Sequence, residues 1–370
     1  MKKVAIVGAG IVGATAAYYL SKEADIEVTV FDFGHGQATK AAAGIISPWF
    51  SKRRNKAWYK MARLGTDFYQ ELIADLQADG WDTSFYKQTG VYLLKRDQSK
   101  LAELKALANS RREESPLIGQ LEILNQAQVA QRFPHLQGFD QLLYASGGAQ
   151  VEGANLTRTL LQASGCQVIK DKVGLQVMAD GTYQIEGQPF DKVLLATGAW
   201  LPEILQPLGY QVDIRPQKGQ LRDYFFEDLP TVDLPVVMPE GELDIIPFKA
   251  GQISVGASHE NDQGYDLTPD PQVLQELENQ AQAFLPILAQ AKTYQERVGT
   301  RAYTSDFAPF YGQVSELKNV YAASGLGSSG LTTGPLIAKE LVHLLVGKKG
   351  QLDYQDYPIE RYIKSIKSKD

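Results

Sequence analysis

Val4-Ala5-Ile6-Val7-Gly8-Ala9-Gly10-Ile11-Val12-Gly13 decides the fold of this chain. Four apolar residues in a row, Val4 to Val7, read as a central parallel strand buried on both faces. The glycine turn opens into Ala14 to Ser21, whose pattern reads as a helix, and Ile26 to Phe31 reads as a second strand ending at Asp32. A β-turn-α-β unit of about 30 residues is the length of a dinucleotide-binding fingerprint. Gly8 permits the tight turn, Gly10 lets a pyrophosphate approach the backbone, and Gly13 lets the helix pack on the strand. The free amides and dipole of the helix N-terminus attract that anion, and Ile11 and Val12 supply the first of them. Asp32, 19 residues past Gly13, is placed to accept hydrogen bonds from an adenosine ribose. Its charge disfavours a 2′-phosphorylated nicotinamide cofactor and leaves NAD and FAD both open.

Three segments further along bear on that choice. Ala38-Thr39-Lys40-Ala41-Ala42-Ala43-Gly44-Ile45-Ile46-Ser47-Pro48 places small residues before a glycine. It reads equally as a loop that a bulky ligand can approach or as an alanine-rich helix start. Lys192-Val193-Leu194-Leu195-Ala196-Thr197-Gly198-Ala199-Trp200 reads as a buried strand ending in a glycine turn. Asn319-Val320-Tyr321-Ala322-Ala323-Ser324-Gly325-Leu326-Gly327-Ser328-Ser329-Gly330-Leu331-Thr332-Thr333-Gly334-Pro335, then an apolar helix through Val346, reads as a strand, a Gly/Ser loop and a helix start. That is a second site able to attract an anion. Two such sites suit FAD, with the pyrophosphate on the first helix and the flavin edge that gains charge on reduction facing the second.

Together these motifs, with Arg297-Val298-Gly299-Thr300-Arg301 upstream of the last, resemble the D-amino-acid oxidase family, and within it glycine oxidase and the D-amino-acid dehydrogenases. They run in order from residue 4 to about residue 346, nearly the whole chain. The resemblance implies a two-unit α/β and α+β flavoprotein: a Rossmann-like FAD-binding domain and an antiparallel-sheet substrate domain. The cofactor unit is expected to be discontinuous, over 1–82, 141–213 and 298–370, with 83–140 and 214–297 binding substrate. The implied reaction oxidises the C–N bond of a small amine or amino acid, a D-amino acid or a glycine-like one, by hydride transfer to flavin N5, giving an imine that hydrolyses. Oxygen or another carrier would then take the electrons. The implied FAD contacts are Gly8, Gly10, Ile11, Val12, Gly13, Asp32, Phe33, Ala38, Thr39, Ala42, Ala43, Gly44, Ile45, Val173, Thr197, Gly198, Gly325, Gly327, Ser328, Ser329, Gly330, Leu331 and Thr332.

Such chemistry rests on the cofactor and requires neither a side-chain nucleophile nor a metal. Arg301 matches the family's carboxylate-binding arginine; the bland alternative is an internal ion pair with Asp306 or Glu296. Two positions depart from glycine oxidase. Asp244 stands where a tyrosine is expected on a substrate-domain strand, with Tyr265 or Tyr224 as its replacement if the alignment is shifted, and Ser328 stands where a second arginine is expected. Trp49, Phe50, Trp58 and Tyr59 read as pocket wall or core, with core favoured for at least two. An NAD-linked dehydrogenase and a non-catalytic flavin-binding protein are the alternatives.

The 370 residues carry 37 basic and 43 acidic side chains, a formal charge of −6 that argues against a nucleic-acid surface. Cys166 is the one cysteine, so no internal disulfide forms and a reducing, cytoplasmic compartment is expected. It lies far in sequence from the glycine loops, and noncovalent FAD is expected. His35, His135, His259 and His343 show no metal-ligand spacing. No stretch has the length and apolarity of an integral membrane span. The basic runs Lys52-Arg53-Arg54-Asn55-Lys56 and Lys364, Lys367 and Lys369 read as solvated surface or tail. A homo-oligomer is left open.

Overall fold

The computed structural model describes residues 1–366; Lys367 and Lys369 lie outside the described residues. Its first layer is a six-stranded sheet in the order Phe310–Gln313, Val320–Ser324, Lys192–Leu195, Lys2–Val7, Ile26–Phe31, Gln167–Ile169. All neighbours are parallel except Phe310–Gln313, which closes one edge antiparallel. The unbroken apolar runs are explained by this placement: Val4, Ala5 and Ile6 are sealed from solvent on both faces.

The helix Ile11–Leu20 is buried at every one of its 10 positions. A helix apolar all round must be enclosed, and this one is covered by Gly153–Ser164 and Gly330–Val346. Gly8 has φ +98°, and a side chain on Gly13 would collide with the Gly8 carbonyl. The turn geometry and the close helix–strand approach therefore both demand glycine.

The second helix facing the cleft, Gly330–Val346, carries Pro335 inside it. Proline has no N–H for the carbonyl four residues back, Leu331. The hydroxyl of Tyr69, from the long helix Lys56–Ala78, donates to that carbonyl at 2.7 Å instead, and Tyr69 is fully buried. Burial holds the phenol well above its ordinary pKa, so it stays a donor.

The second layer is an eight-stranded sheet in the order Thr293–Tyr303, Arg215–Phe225, Gln252–Gly256, Asp244–Pro247, Val236–Met238, Val91–Leu94, Gln141–Ala145, Leu121–Asn125. Of the expected domain limits, 141 falls at the first residue of Gln141–Ala145 and 298 falls within Thr293–Tyr303. Both strands pair with the large sheet.

Several expectations change in detail. The second strand of that sheet runs Arg215–Phe225, and the helix Pro271–Gln282 is followed by a 3-10 turn. Trp49 and Phe50 pack in the core beneath the large sheet, and Asn55 caps the helix that follows by accepting from Trp58 N at 2.9 Å. The Trp58 indole donates to Ser329 at 3.2 Å. Lys364 is no loose tail, because Ile363–Ser365 pairs with Tyr210–Val212. No described helix is long and apolar enough to cross a membrane.

Tyr69→Phe leaves the Leu331 carbonyl buried without a donor. It should lower stability by about 1–3 kcal/mol, read as a drop in chemical-denaturation midpoint.

Candidate active site

One cavity joins the two glycine-rich helix starts to the large sheet. Gly8, Gly10, Asp32 and Phe33 line one end, Gly327, Gly330 and Leu331 the middle, and Asp244, His259 and Arg301 the far end. At the first end, the first bond of the helix runs from Ala14 N to Gly10 O, so the amides before it have no helical partner. That of Ile11 donates to Thr39 Oγ1 at 3.0 Å. Asp32 accepts from Ala9 N at 3.0 Å and from the Gln37 side-chain amide at 2.7 and 2.8 Å. Thr197 and Thr300 carry buried hydroxyls with no hydrogen-bond partner. Both residues border the same cavity. Unpartnered donors and an acid at a helix start, continuous with a second helix start, fit a dinucleotide bearing a flavin.

Most residues expected at the cofactor reach the cavity: Gly8, Gly10, Ile11, Val12, Asp32, Phe33, Ala38, Thr39, Ala42, Ala43, Gly44, Ile45, Val173, Thr197, Gly198, Gly327, Ser328, Gly330 and Leu331. Gly13, Gly325, Ser329 and Thr332 are not among the residues that line it. Gly13 acts by packing, and Ser329 turns its hydroxyl to Leu326 O at 2.8 Å. Thr332 is buried. The open choice for 38–48 resolves into both of its halves: a one-turn helix, Ala38–Ala41, followed by an extended cavity-lining loop.

That loop is held by the large sheet. Arg297 donates to Ala42 O at 3.0 Å and Lys40 O at 3.2 Å, and pairs with buried Asp223 at 2.8 and 2.9 Å. Two positions on, Gly299 sits against Ala41, and Thr300 N donates to Gly36 O at 2.9 Å.

At the far end, the Arg301 guanidinium lies flat over Gly219, where any side chain would strike it. It donates to Ser258 O at 2.8 Å and Gln217 Oε1 at 3.3 Å. Neither suspected internal partner takes it: Glu296 pairs with Arg222 and Asp306 with Arg361. Among the described residues no carboxylate lies within ion-pair distance of Arg301. Burial lowers its proton affinity, opposed by Tyr303, Glu242 and Glu260.

Asp244, partly buried, opens onto the cavity, and desolvation raises its pKa to about 7. Tyr224 is buried in the sheet core, and Tyr265 donates to Ala199 O at 2.9 Å against the Trp200 ring; neither lines the cavity. Ser328 lines it, its amide donating to Tyr303 Oη at 3.0 Å. Trp49, Phe50, Trp58 and Tyr59 all stand outside it. Sequence reasoning missed Gln37, Glu242 and the role of His259, whose Nδ1 is 3.1 Å from Glu242 Oε2. Burial first, and then the Arg301 charge, lower the His259 pKa.

Residues 3–344 match the DAO family, described as FAD dependent oxidoreductase. The chain belongs to that family. This DAO-family chain is 41% identical over 369 residues to an uncharacterized oxidoreductase, YurR, of Bacillus subtilis (strain 168), covering 96% of this chain and 98% of that protein. It is 29% identical over 378 residues to a glycine oxidase of Pseudomonas putida, covering 97% and 98%. Its fold superimposes on iminodiacetate oxidase from Chelativorans sp. BNC1 with a TM-score of 0.88 at 31% identity, over 97% of this chain and 98% of that one. DAO membership makes the chain an FAD-dependent oxidoreductase and removes the NAD-linked alternative.

Two outcomes follow for the DAO-family site. Arg297→Ala strands the Asp223 carboxylate in the interior, and should cost about 3–5 kcal/mol and weaken FAD retention, measured by thermal melting and flavin release. Asp244, with its folded pKa raised, favours the folded state below its ordinary carboxylate pKa, and that contribution is lost as pH rises to about 7. Asp244→Asn should therefore flatten the decline in stability between about pH 4 and about pH 7, read by denaturation at stepped pH.

Proposed function

We propose that this enzyme oxidises the C–N bond of a small amino acid or amine, with Arg301 receiving the substrate carboxylate. The observation that carries this reading is a buried guanidinium, facing the cofactor cavity, whose protein partners are neutral oxygens. A planar fork with spare donors is the complement of a carboxylate, and a buried unpaired cation costs free energy until an anion arrives. The names of the relatives, glycine oxidase and iminodiacetate oxidase, agree with a carboxylate-bearing amine.

Bound FAD supplies hydride acceptance, and the imine product hydrolyses in water. The chain's own residues do the positioning. Arg301 anchors one end of the substrate, so that its Cα–H can be held toward the flavin. Ser328, on the loop before the second helix, supplies no charge to that anchor. His259, kept neutral by burial and Arg301, can receive a proton from the substrate ammonium, which must be uncharged to be oxidised.

The domain roles follow the same division, with 1–82, 141–213 and 298–370 chiefly carrying FAD and 83–140 and 214–297 chiefly facing substrate. FAD is held noncovalently, since Cys166 lies behind the glycine-loop helix, 4.0 Å from Ala17 O. Oxygen or another carrier takes the electrons, and a lone unpaired cysteine agrees with a cytoplasmic setting.

Arg301→Ala should weaken carboxylate ligands by about 2–5 kcal/mol, measured as perturbation of the flavin spectrum on titration with a carboxylate inhibitor. Unchanged affinity would move the carboxylate elsewhere. Bleaching of the flavin by a panel of D-amino acids, glycine, sarcosine and simple amines without oxygen tests the reaction itself, and a flavin that none of them reduces would reject it.

A further inference from the structure

Arg301 balances only one of the charges that face the substrate end of the cavity. Asp244 and Glu242 line it too, from the strand Asp244–Pro247 and the turn before it. The strand register fixes their side. Asp244 pairs with Gly256, Gly256 with Leu221, and Leu221 with Arg297, and directly opposed residues share a face. Arg297 points at the cofactor loop, and Arg301, four residues along the same strand, shares its face. Asp244 therefore stands on the cofactor side of the sheet with Arg301. Gly256 adds no side chain between them.

Asp244 is partly buried in the cavity wall, and its carboxyl has no hydrogen-bond or ion-pair partner among the described residues. An unpaired carboxyl partly stripped of water gains from whatever brings it a proton or a positive charge. Glu242 extends the acidic wall toward the mouth, beside His259. Lys218, the nearest buried lysine of that sheet, is spent on Asp266 at 2.7 Å and Thr268 O at 2.6 Å. Once a substrate carboxylate neutralises Arg301, the wall of Asp244 and Glu242 has no arginine or lysine of the protein paired with it among the described residues.

We infer that the Asp244–Glu242 wall binds a second, cationic group of the substrate, so that the preferred substrates are amino acids carrying a protonated nitrogen at the end of a side chain. This inference rests on the proposed carboxylate role of Arg301. Arg301 reaches Ser258 O, two residues past the partner of Asp244. The Arg301 fork lies over Gly219 and reaches Ser258 O, so one to two strand spacings and two residues of rise separate it from Asp244, on the order of 8–12 Å at the backbone, a span that an extended diamino acid with its hydrogen bonds can bridge. The second ammonium satisfies Asp244 by pairing, and an uncharged side chain of equal length would leave it unsatisfied.

The test uses the FAD-loaded enzyme and two readouts. The first is flavin spectral perturbation by 5-aminopentanoate against pentanoate, ligands with no α-amine to oxidise. The amino compound should bind at least about tenfold more tightly to the wild type, and the advantage should fall to about threefold or less in Asp244→Asn. Glu242→Gln, nearer the mouth, should give a smaller loss and serves if Asp244→Asn fails to retain FAD. The second is anaerobic flavin reduction by both enantiomers of lysine and ornithine against norleucine and glycine. A diamino acid should exceed norleucine of the same hand by about tenfold in kcat/KM. Equal binding of the two acids, or an advantage that survives both substitutions, overturns the inference. A preference for the amino acid ligand without reduction of the flavin by any amine would sustain the cationic subsite and reject the proposed reaction.

Discussion

Arg297 holds the two halves of the active site in one frame. Its guanidinium is gripped from the sheet side by buried Asp223 and, through it, Ser254, and its remaining donors cap the carbonyls of Lys40 and Ala42 on the cofactor loop. A single charged fork thus sets how far the loop that borders the cavity stands from the strand that carries Arg301. The ion pair is largely buried, so its net worth to stability is small, while its geometry is specific. Gly299 and Thr300 reinforce the same join by close packing and a backbone bond to Gly36. Arg301 lies four residues along the same strand and on the same face.

The acid–base layout follows from desolvation more than from direct pairing. Arg301, Asp244 and His259 are each shifted first by burial, and each toward its neutral form. Such a site is poised to gain from charged ligands, because every opposite charge that enters relieves a cost already present. A carboxyl stands on the Asp244 strand where a tyrosine was expected, and it faces the same cavity as Arg301.

The first β-turn-α-β unit was legible because burial on both faces leaves an uninterrupted apolar run, and because glycine is required where backbone meets backbone. The strand Arg215–Phe225 carries Gln217, Lys218, Gln220, Arg222 and Asp223, all buried and divided between its two faces, so it shows no hydrophobic alternation in the sequence. Arg301 was found through its motif. Glu242, His259 and Gln37 come from turns whose position depends on the folded sheet, and nothing in their local sequence marks them.

The placement of Cys166 bears on how this chain withstands its own chemistry. Where oxygen is the acceptor, electron transfer from a reduced flavin yields hydrogen peroxide, and the thiolate is the form of cysteine that peroxide attacks. Cys166 is half-buried on the far side of the glycine-loop helix, and burial raises its pKa, so the reactive form is scarce. Met61, the methionine nearest the core of the cofactor layer, is sealed from solvent. The sulfur that meets an oxidant first is therefore that of Met1 and Met178, out on the surface, where a sulfoxide disturbs no packing around the flavin.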